Sequence, residues 1–143
     1  MNVIDRFDGK YDFLSNFHLC TVRYAGDKFK SVEHAYQAAK MAYPEDADYV
    51  ARRASAAQAK RAAKRCPKRL EWPEIKDRVM LECVASKFTD NVRLALLLLD
   101  TGDAELIEGN TWGDRYWGVC DGVGENRLGK ILMQVRGDLQ VKY

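Results

Sequence analysis

Glu33, Gln37 and Lys40 stand four and three positions apart in a stretch whose apolar residues, Val32, Ala35, Tyr36 and Ala39, recur at helical spacing. On a helix of about 3.6 residues per turn these intervals align a carboxylate, an amide and an ammonium in one row, and turn Val32, Ala35 and Ala39 the other way. Such a row suits the hydrolysis of a sugar derivative. The carboxylate activates water or stabilises an oxocarbenium-like centre while the amide and ammonium hold hydroxyls. Glu33 also lies near a helix start, where the dipole favours its ionised form. The same row fits a helix face that water merely solvates.

A second candidate is Gly122-Val123-Gly124-Glu125-Asn126-Arg127-Leu128-Gly129-Lys130, a glycine-rich loop leading into a helix. Glycines such as Gly124 permit close backbone approach, and the N–H groups of a helix start attract anions. The pattern GxGxNxxGK follows no convincing strand, so it is neither a dinucleotide fingerprint nor a Walker loop. Trp72, Tyr116 and Trp117 can stack a nucleobase or simply pack a core.

Charge supplies a third feature. Between Tyr49 and Leu70 stand eight basic residues and no acidic one, a block of +8, while the rest of the chain holds 15 basic against 21 acidic residues, hence −6. A local basic block points to a phosphate-bearing partner, nucleotide or nucleic acid, or to a solvated face. Cys20, Cys66, Cys83 and Cys120 include no CxxC pair and the histidines are only His18 and His34, so a zinc site of ordinary spacing is excluded and a His-dependent nucleophile system would need His18 or His34 beside a Ser or Cys. Free, buried or half-buried thiols are expected.

These residues need elements to position them. A chain of 143 residues, 47% hydrophobic and 31% charged, is about one domain long, and the expected domain is 1–143. Residues 2–30 read as extended, with alternation at Cys20, Val22 and Tyr24 and the turn residues Gly26-Asp27 before Phe29 giving a hairpin. Ser31 caps a first helix that Pro44 closes. A second runs Ala47 to Ala54, a third from the Ser55 cap to Cys66, and a fourth from Pro73 with Ile75, Val79, Cys83 and Val84 as its apolar stripe. A fifth surrounds Val92 to Leu99, Leu106-Ile107-Glu108 forms a short strand, and six glycines from Gly109 to Gly129 mark a loop before the last helix. The fold class is mainly α (α+β), a compact single domain with a small antiparallel sheet. The start carries no secretory signal and no apolar run is long enough to span a membrane, so a cytoplasmic protein is expected.

Several motifs in order resemble one family. They are Asp12-Phe13-Leu14-Ser15-Asn16-Phe17, Ser31-Val32-Glu33-His34-Ala35-Tyr36-Gln37-Ala38-Ala39-Lys40, Arg69-x-x-Trp72, Val79-Met80 with Lys87-Phe88, Thr101-Gly102-Asp103 with Glu108, Asp114-Arg115-Tyr116-Trp117-Gly118, and Gly124-x-Asn126-x-Leu128-Gly129 with Leu132-Met133 and Arg136. Together they are similar to the NADAR, or YbiA-like, family over nearly the whole chain. The resemblance implies a YbiA-like fold and cleavage of N-glycosidic bonds in ribose phosphates, including riboflavin-pathway phosphoribosylamino-pyrimidines, or in ADP-ribosylated guanine. It implies Glu33 as the catalytic carboxylate, with Asp114 the next carboxylate in the matched motifs. Asn16, Phe17, Gln37, Lys40, Lys60, Trp72, Trp117, Gly118, Gly124 and Asn126 map to the substrate pocket, while His34 points away from the Glu33 row and reads as structural.

Two positions depart from the family pattern: Ala63 stands for the usual glycine of Lys-x-x-Gly-Arg, and Trp117-Gly118-Val119-Cys120 replaces WGxG. No cofactor, metal or membrane is implied, and nothing fixes an oligomeric state. The expected partner is a nucleotide-like small molecule, with ADP-ribosylated nucleic acid a further one. A non-catalytic module binding ADP-ribose or NAD through the same pocket is the alternative function, and a nucleic-acid binder using the basic block a third.

Overall fold

The computed structural model describes residues 2–143. Their contacts divide into two units, Asn16–Asp90 and a second that joins residues 2–15 to 91–143.

The first unit holds the predicted hairpin and four helices. Strands β2 (Val22–Tyr24) and β3 (Asp27–Phe29) pair antiparallel, Val22 opposite Phe29 and Tyr24 opposite Asp27. The turn is Ala25-Gly26, one residue earlier than the sequence indicates, and both residues take positive φ (52° and 87°) as a tight two-residue hairpin requires. Ser31 then caps α1 (Val32–Lys40), its hydroxyl accepting the His34 N–H as expected.

Helix α2 (Pro44–Ala51) starts earlier than its alanines suggest, because Pro44 occupies its first turn instead of merely ending α1. A proline there loses no hydrogen bond and already has helical φ. Helix α3 (Ala56–Lys64) opens with a reciprocal capping box between Ser55 and Gln58. Helix α4 (Trp72–Thr89) carries Pro73 in its first turn and buries Val79, Cys83, Val84 and Phe88.

Helix α1 lies against α2, α3, α4 and the hairpin. Ala38, Met41, Val50, Ala59 and Ala63 form a core cluster with Phe29 packed on it. Small side chains on α3 let its backbone come close. Ala63, one of the two departures from the family pattern, is 1% exposed within this cluster, so its role is helix packing.

The second unit departs more from the reading of the sequence. Residues 2–30 do not form one sheet: β1 is only Val3–Ile4, and Gly9–Leu14 is a 3-10 helix. Strand β1 pairs in parallel with β4 (Glu105–Leu106), and β5 (Gly109–Asn110) pairs in parallel with β6 (Val119–Cys120). Among the described residues the expected sheet is thus three two-stranded pieces, of which only the hairpin is antiparallel.

Helix α5 (Val92–Asp100) packs with α6 (Arg127–Lys142), whose stripe of Leu128, Leu132, Val135 and Leu139 is buried. Burying each such side chain contributes about 1.5–3 kcal/mol. Arg136 is buried beside them, and its Nη1 donates to Thr101 Oγ1 at 2.9 Å. All four cysteines are free, Cys83 and Cys120 buried and Cys20 and Cys66 half-buried. No helix among the described residues is long and apolar enough to cross a membrane.

Candidate active site

On helix α1 the carboxylate and the amide of the polar row are buried, not solvated. Glu33 is 7% and Gln37 5% exposed, although both belong to the polar row. Burying a carboxylate is costly unless it is hydrogen-bonded, and Gln37 Nε2 donates to Glu33 Oε2 at 2.7 Å across one turn. Glu33 sits in the first turn, where the helix dipole favours negative charge. The orphan N–H groups of that turn are also accounted for. His34 N donates to Ser31 Oγ, and Glu33 N donates to the Asn16 carbonyl at 3.0 Å. Asn16 thereby fixes the backbone that carries the carboxylate, and its own amide donates to Met80 Sδ at 3.5 Å.

Lys40 ends the row. Its Nζ lies 5.8 Å from the centre of the Tyr36 ring, within cation–π range, and Tyr36 meets Trp72 edge-on at 5.0 Å. Trp72 is therefore a buried support of the Lys40 platform. Lys60 Nζ stands 6.0 Å from the ring of Phe17, which is exposed. Burial pushes the Lys40 ammonium below its usual pKa, as do Lys68, Lys76 and Lys60, with Glu33 pulling the other way. The unit Asn16–Asp90 thus holds Asn16, Phe17, Glu33, Gln37, Lys40, Lys60 and Trp72.

His34, on the same helix, is a structural residue, in line with its expected place. Its Nε2 lies 2.9 Å from the Arg53 carbonyl, which only accepts, so Nε2 must donate. Nδ1 is then the acceptor for the Ser31 hydroxyl at 2.6 Å. Burial holds this imidazole below its usual pKa, in keeping with a neutral pin between α1 and the segment after α2.

The other expected site residues, Asp114, Trp117, Gly118, Gly124 and Asn126, belong to the second unit, where the structure gives them structural work. Asp114 Oδ1 accepts the N–H groups of Tyr116 and Trp117 at 3.1 and 2.9 Å, closing a turn. Trp117 meets Tyr116 edge-on at 4.9 Å. Asn126, 8% exposed, spends its amide on the backbone: Nδ2 donates to the Leu106 carbonyl and Oδ1 accepts from Glu108 N, both at 2.9 Å.

At the start of α6, where a phosphate cradle is expected, the backbone donors are engaged within the loop. Glu125, Asn126, Arg127 and Leu128 donate their N–H groups to the carbonyls of Arg115, Gly118, Tyr116 and Trp117, so the loop satisfies these donors itself. The glycines serve the same closure. A Cβ on Gly118 would strike the Glu108 carbonyl and one on Gly124 the Gly118 carbonyl, so both glycines allow a close approach between backbones. Cys120, the second departure from the family pattern, exchanges two backbone hydrogen bonds with Val123 in a tight turn.

The sequence reading passed over Tyr36, whose ring links Lys40 to Trp72, and Lys76, an electrostatic neighbour of Lys40. Lys87, outside this group, is also buried. This lysine is 1% exposed on α4 with its ammonium 5.1 Å from the Phe88 ring, and its place four positions beyond Cys83 of the apolar stripe was the available signal.

A buried, hydrogen-bonded carboxylate on the same helix row as an ammonium is equipped for acid–base work. The chain belongs to the NADAR domain family, whose model matches residues 5–140 and so spans both units. A riboflavin biosynthesis protein of Vibrio vulnificus is 41% identical over 136 residues, 93% of this chain but only 37% of that longer protein. The N-glycosidase YbiA of Escherichia coli K12 is 35% identical over 92% of this chain and 84% of its own, and an N-glycosidase of Nostoc punctiforme 35% identical over 91% and 86%. The fold matches the NMR structure of E. coli YbiA with a TM-score of 0.84 and 31% identity, covering 99% of this chain and 89% of that one. The YbiA-like fold is thus established.

Proposed function

We propose that the chain is an N-glycosidase acting on a ribose-phosphate or ADP-ribosyl derivative, with Glu33 as the working carboxylate. The observation that carries this reading is the burial of Glu33 in the first turn of α1, held by Gln37. The family and the N-glycosidase names of its relatives support the reaction class. As the C–N bond breaks, its electron pair leaves with the base and positive charge builds on the anomeric carbon, which a carboxylate stabilises. A water then adds to that carbon and gives its proton to Glu33, which returns it to solvent or to the departing base. Gln37 holds the carboxylate and, with Lys40, offers donors to the sugar.

The substrate is tested by incubating the protein with a phosphoribosylamino-pyrimidine of the riboflavin pathway and with ADP-ribosylated guanine DNA, followed by chromatography for released base. Release from at least one is the expected result. Stable binding of both without release would favour a non-catalytic module.

A further inference from the structure

Helix α5 is aliphatic without a break from Leu94 to Leu99, yet the fold buries only one side of it. Leu94, Ala95 and Leu98 are buried, while Val92 is 61% and Leu96 54% exposed, and Leu99 beside them is half-buried. At about 100° of turn per residue, Val92, Leu96 and Leu99 fall within roughly 60° of one another and form one apolar row on the outer side of the helix. A lone exposed leucine is ordinary. A row of aliphatic side chains along the whole of a nine-residue helix marks a contact surface.

Charge borders this row. Arg93 and Asp100, both exposed, stand seven positions apart, within about 20° of two whole turns, so they share one edge of the row at opposite ends of the helix. About 10 Å of rise keeps them from pairing with each other, and neither has an ion-pair partner among the described residues. Their midpoint falls between Leu96 and Leu97.

A second α5 laid antiparallel across the row, about a two-fold axis at that midpoint, keeps each edge on its own side. Arg93 of one protomer then meets the partner's Asp100, and its Asp100 meets the partner's Arg93. In the same register Leu96 meets the partner's Leu96, and Val92 meets the partner's Leu99. A parallel pairing would bring like charges to the same level. The row is therefore complementary to itself in the antiparallel orientation.

We infer that the outer face of α5 is the contact of a two-fold symmetric dimer, its occupant a second copy of this chain. A helix of nine residues covers less than the roughly 800 Å² per partner of a standard interface, so the association is weak, with a Kd of about 10 µM to 1 mM.

Sedimentation velocity across that range of concentration tests the contact, with wild type, Leu96→Glu, Arg93→Asp, Asp100→Arg and the double charge variant. Arg93→Asp places an acid in the first turn of α5 and Asp100→Arg a base at its end, so the helix dipole favours both and thermal unfolding should show all charge variants folded. Leu96→Glu and each single charge variant are expected to weaken dimerisation at least about tenfold, by burying charge at the axis or opposing like charges across it. An equimolar mixture of Arg93→Asp and Asp100→Arg should dimerise again, because the mixed pair sets opposite charges against each other at both ends. The double variant should dimerise with itself for the same reason.

A wild-type protein that stays monomeric to about 1 mM, or a dimer that Leu96→Glu leaves intact, would overturn the inference. So would two single charge variants that fail to pair when mixed, since the antiparallel register requires that rescue. Growth beyond a dimer would contradict the closed two-fold contact.

Discussion

The 2.7 Å hydrogen bond from Gln37 to Glu33 is buried and charge-assisted, the class of contact whose removal costs most. Gln37→Leu is expected to lower kcat roughly tenfold, because the carboxylate loses the group that orients it. The double variant Glu33→Gln/Gln37→Leu should be little worse than Glu33→Gln alone, as residues acting as a unit are not additive. Additive losses in steady-state kinetics would separate the two roles.

His34 gives a prediction of a different kind. Its imidazole is held below the ordinary value of 6.5, first by burial and also by Lys30, with its hydrogen bond to Arg53 opposing. A lowered folded pKa means that the unfolded chain takes the proton first. The contribution of neutral His34 is then complete above about pH 6.5 and is lost as pH falls through its folded value. Denaturant titrations should show the wild type losing stability on acidification below pH 6.5, and His34→Gln losing less over the same range. Parallel losses in both proteins would place the pH response elsewhere.

At the scale of elements, the two candidate segments behave differently. Helix α1 presents its polar row as the spacing indicates, because an i, i+4, i+7 pattern needs only a helix to be realised. The closure of the glycine loop was not legible, because the groups that satisfy the start of α6 are carbonyls of residues 115 to 118, which no local pattern ties to that helix. Gly118→Ala is therefore expected to destabilise the fold by about 1–3 kcal/mol through backbone overlap, read as a lower Tm, with the activity of the surviving folded fraction largely kept. A stable Gly118→Ala protein with lost ligand affinity would restore the loop to the site. Ser55→Ala, which removes the capping box of α3, should cost about 1 kcal/mol in denaturant unfolding and leave kcat near normal.

For the molecule as a whole, what was legible in the sequence was what local physics determines. Ser31, Ser55 and Pro73 announce helix starts by side-chain chemistry, and the hairpin shows in its alternation. The pairing of Val3 with Glu105 and of Gly109 with Val119 was not legible, since two-residue parallel strands have no period of their own. The place of Lys68 beside the end of α1 was not legible either, since it depends on the return of the chain to pair with Met41. The charge asymmetry reads through to function if the lysines hold an anionic substrate. KM should then rise steeply between low and moderate salt while kcat changes little, and Lys60→Ala should flatten that dependence. A salt-insensitive KM would detach the basic block from substrate binding.

The most direct measurement is the single-turnover rate of base release by Glu33→Gln, with folding checked by thermal unfolding and ligand binding by titration. The substitution keeps size and an acceptor for Gln37 but removes the charge that stabilises the anomeric centre and takes the water proton. A folded variant that binds ligand normally and releases base on the order of 100-fold or more slowly is the predicted result. A folded variant with near-normal turnover would contradict the assignment of Glu33 and turn attention to Asp114.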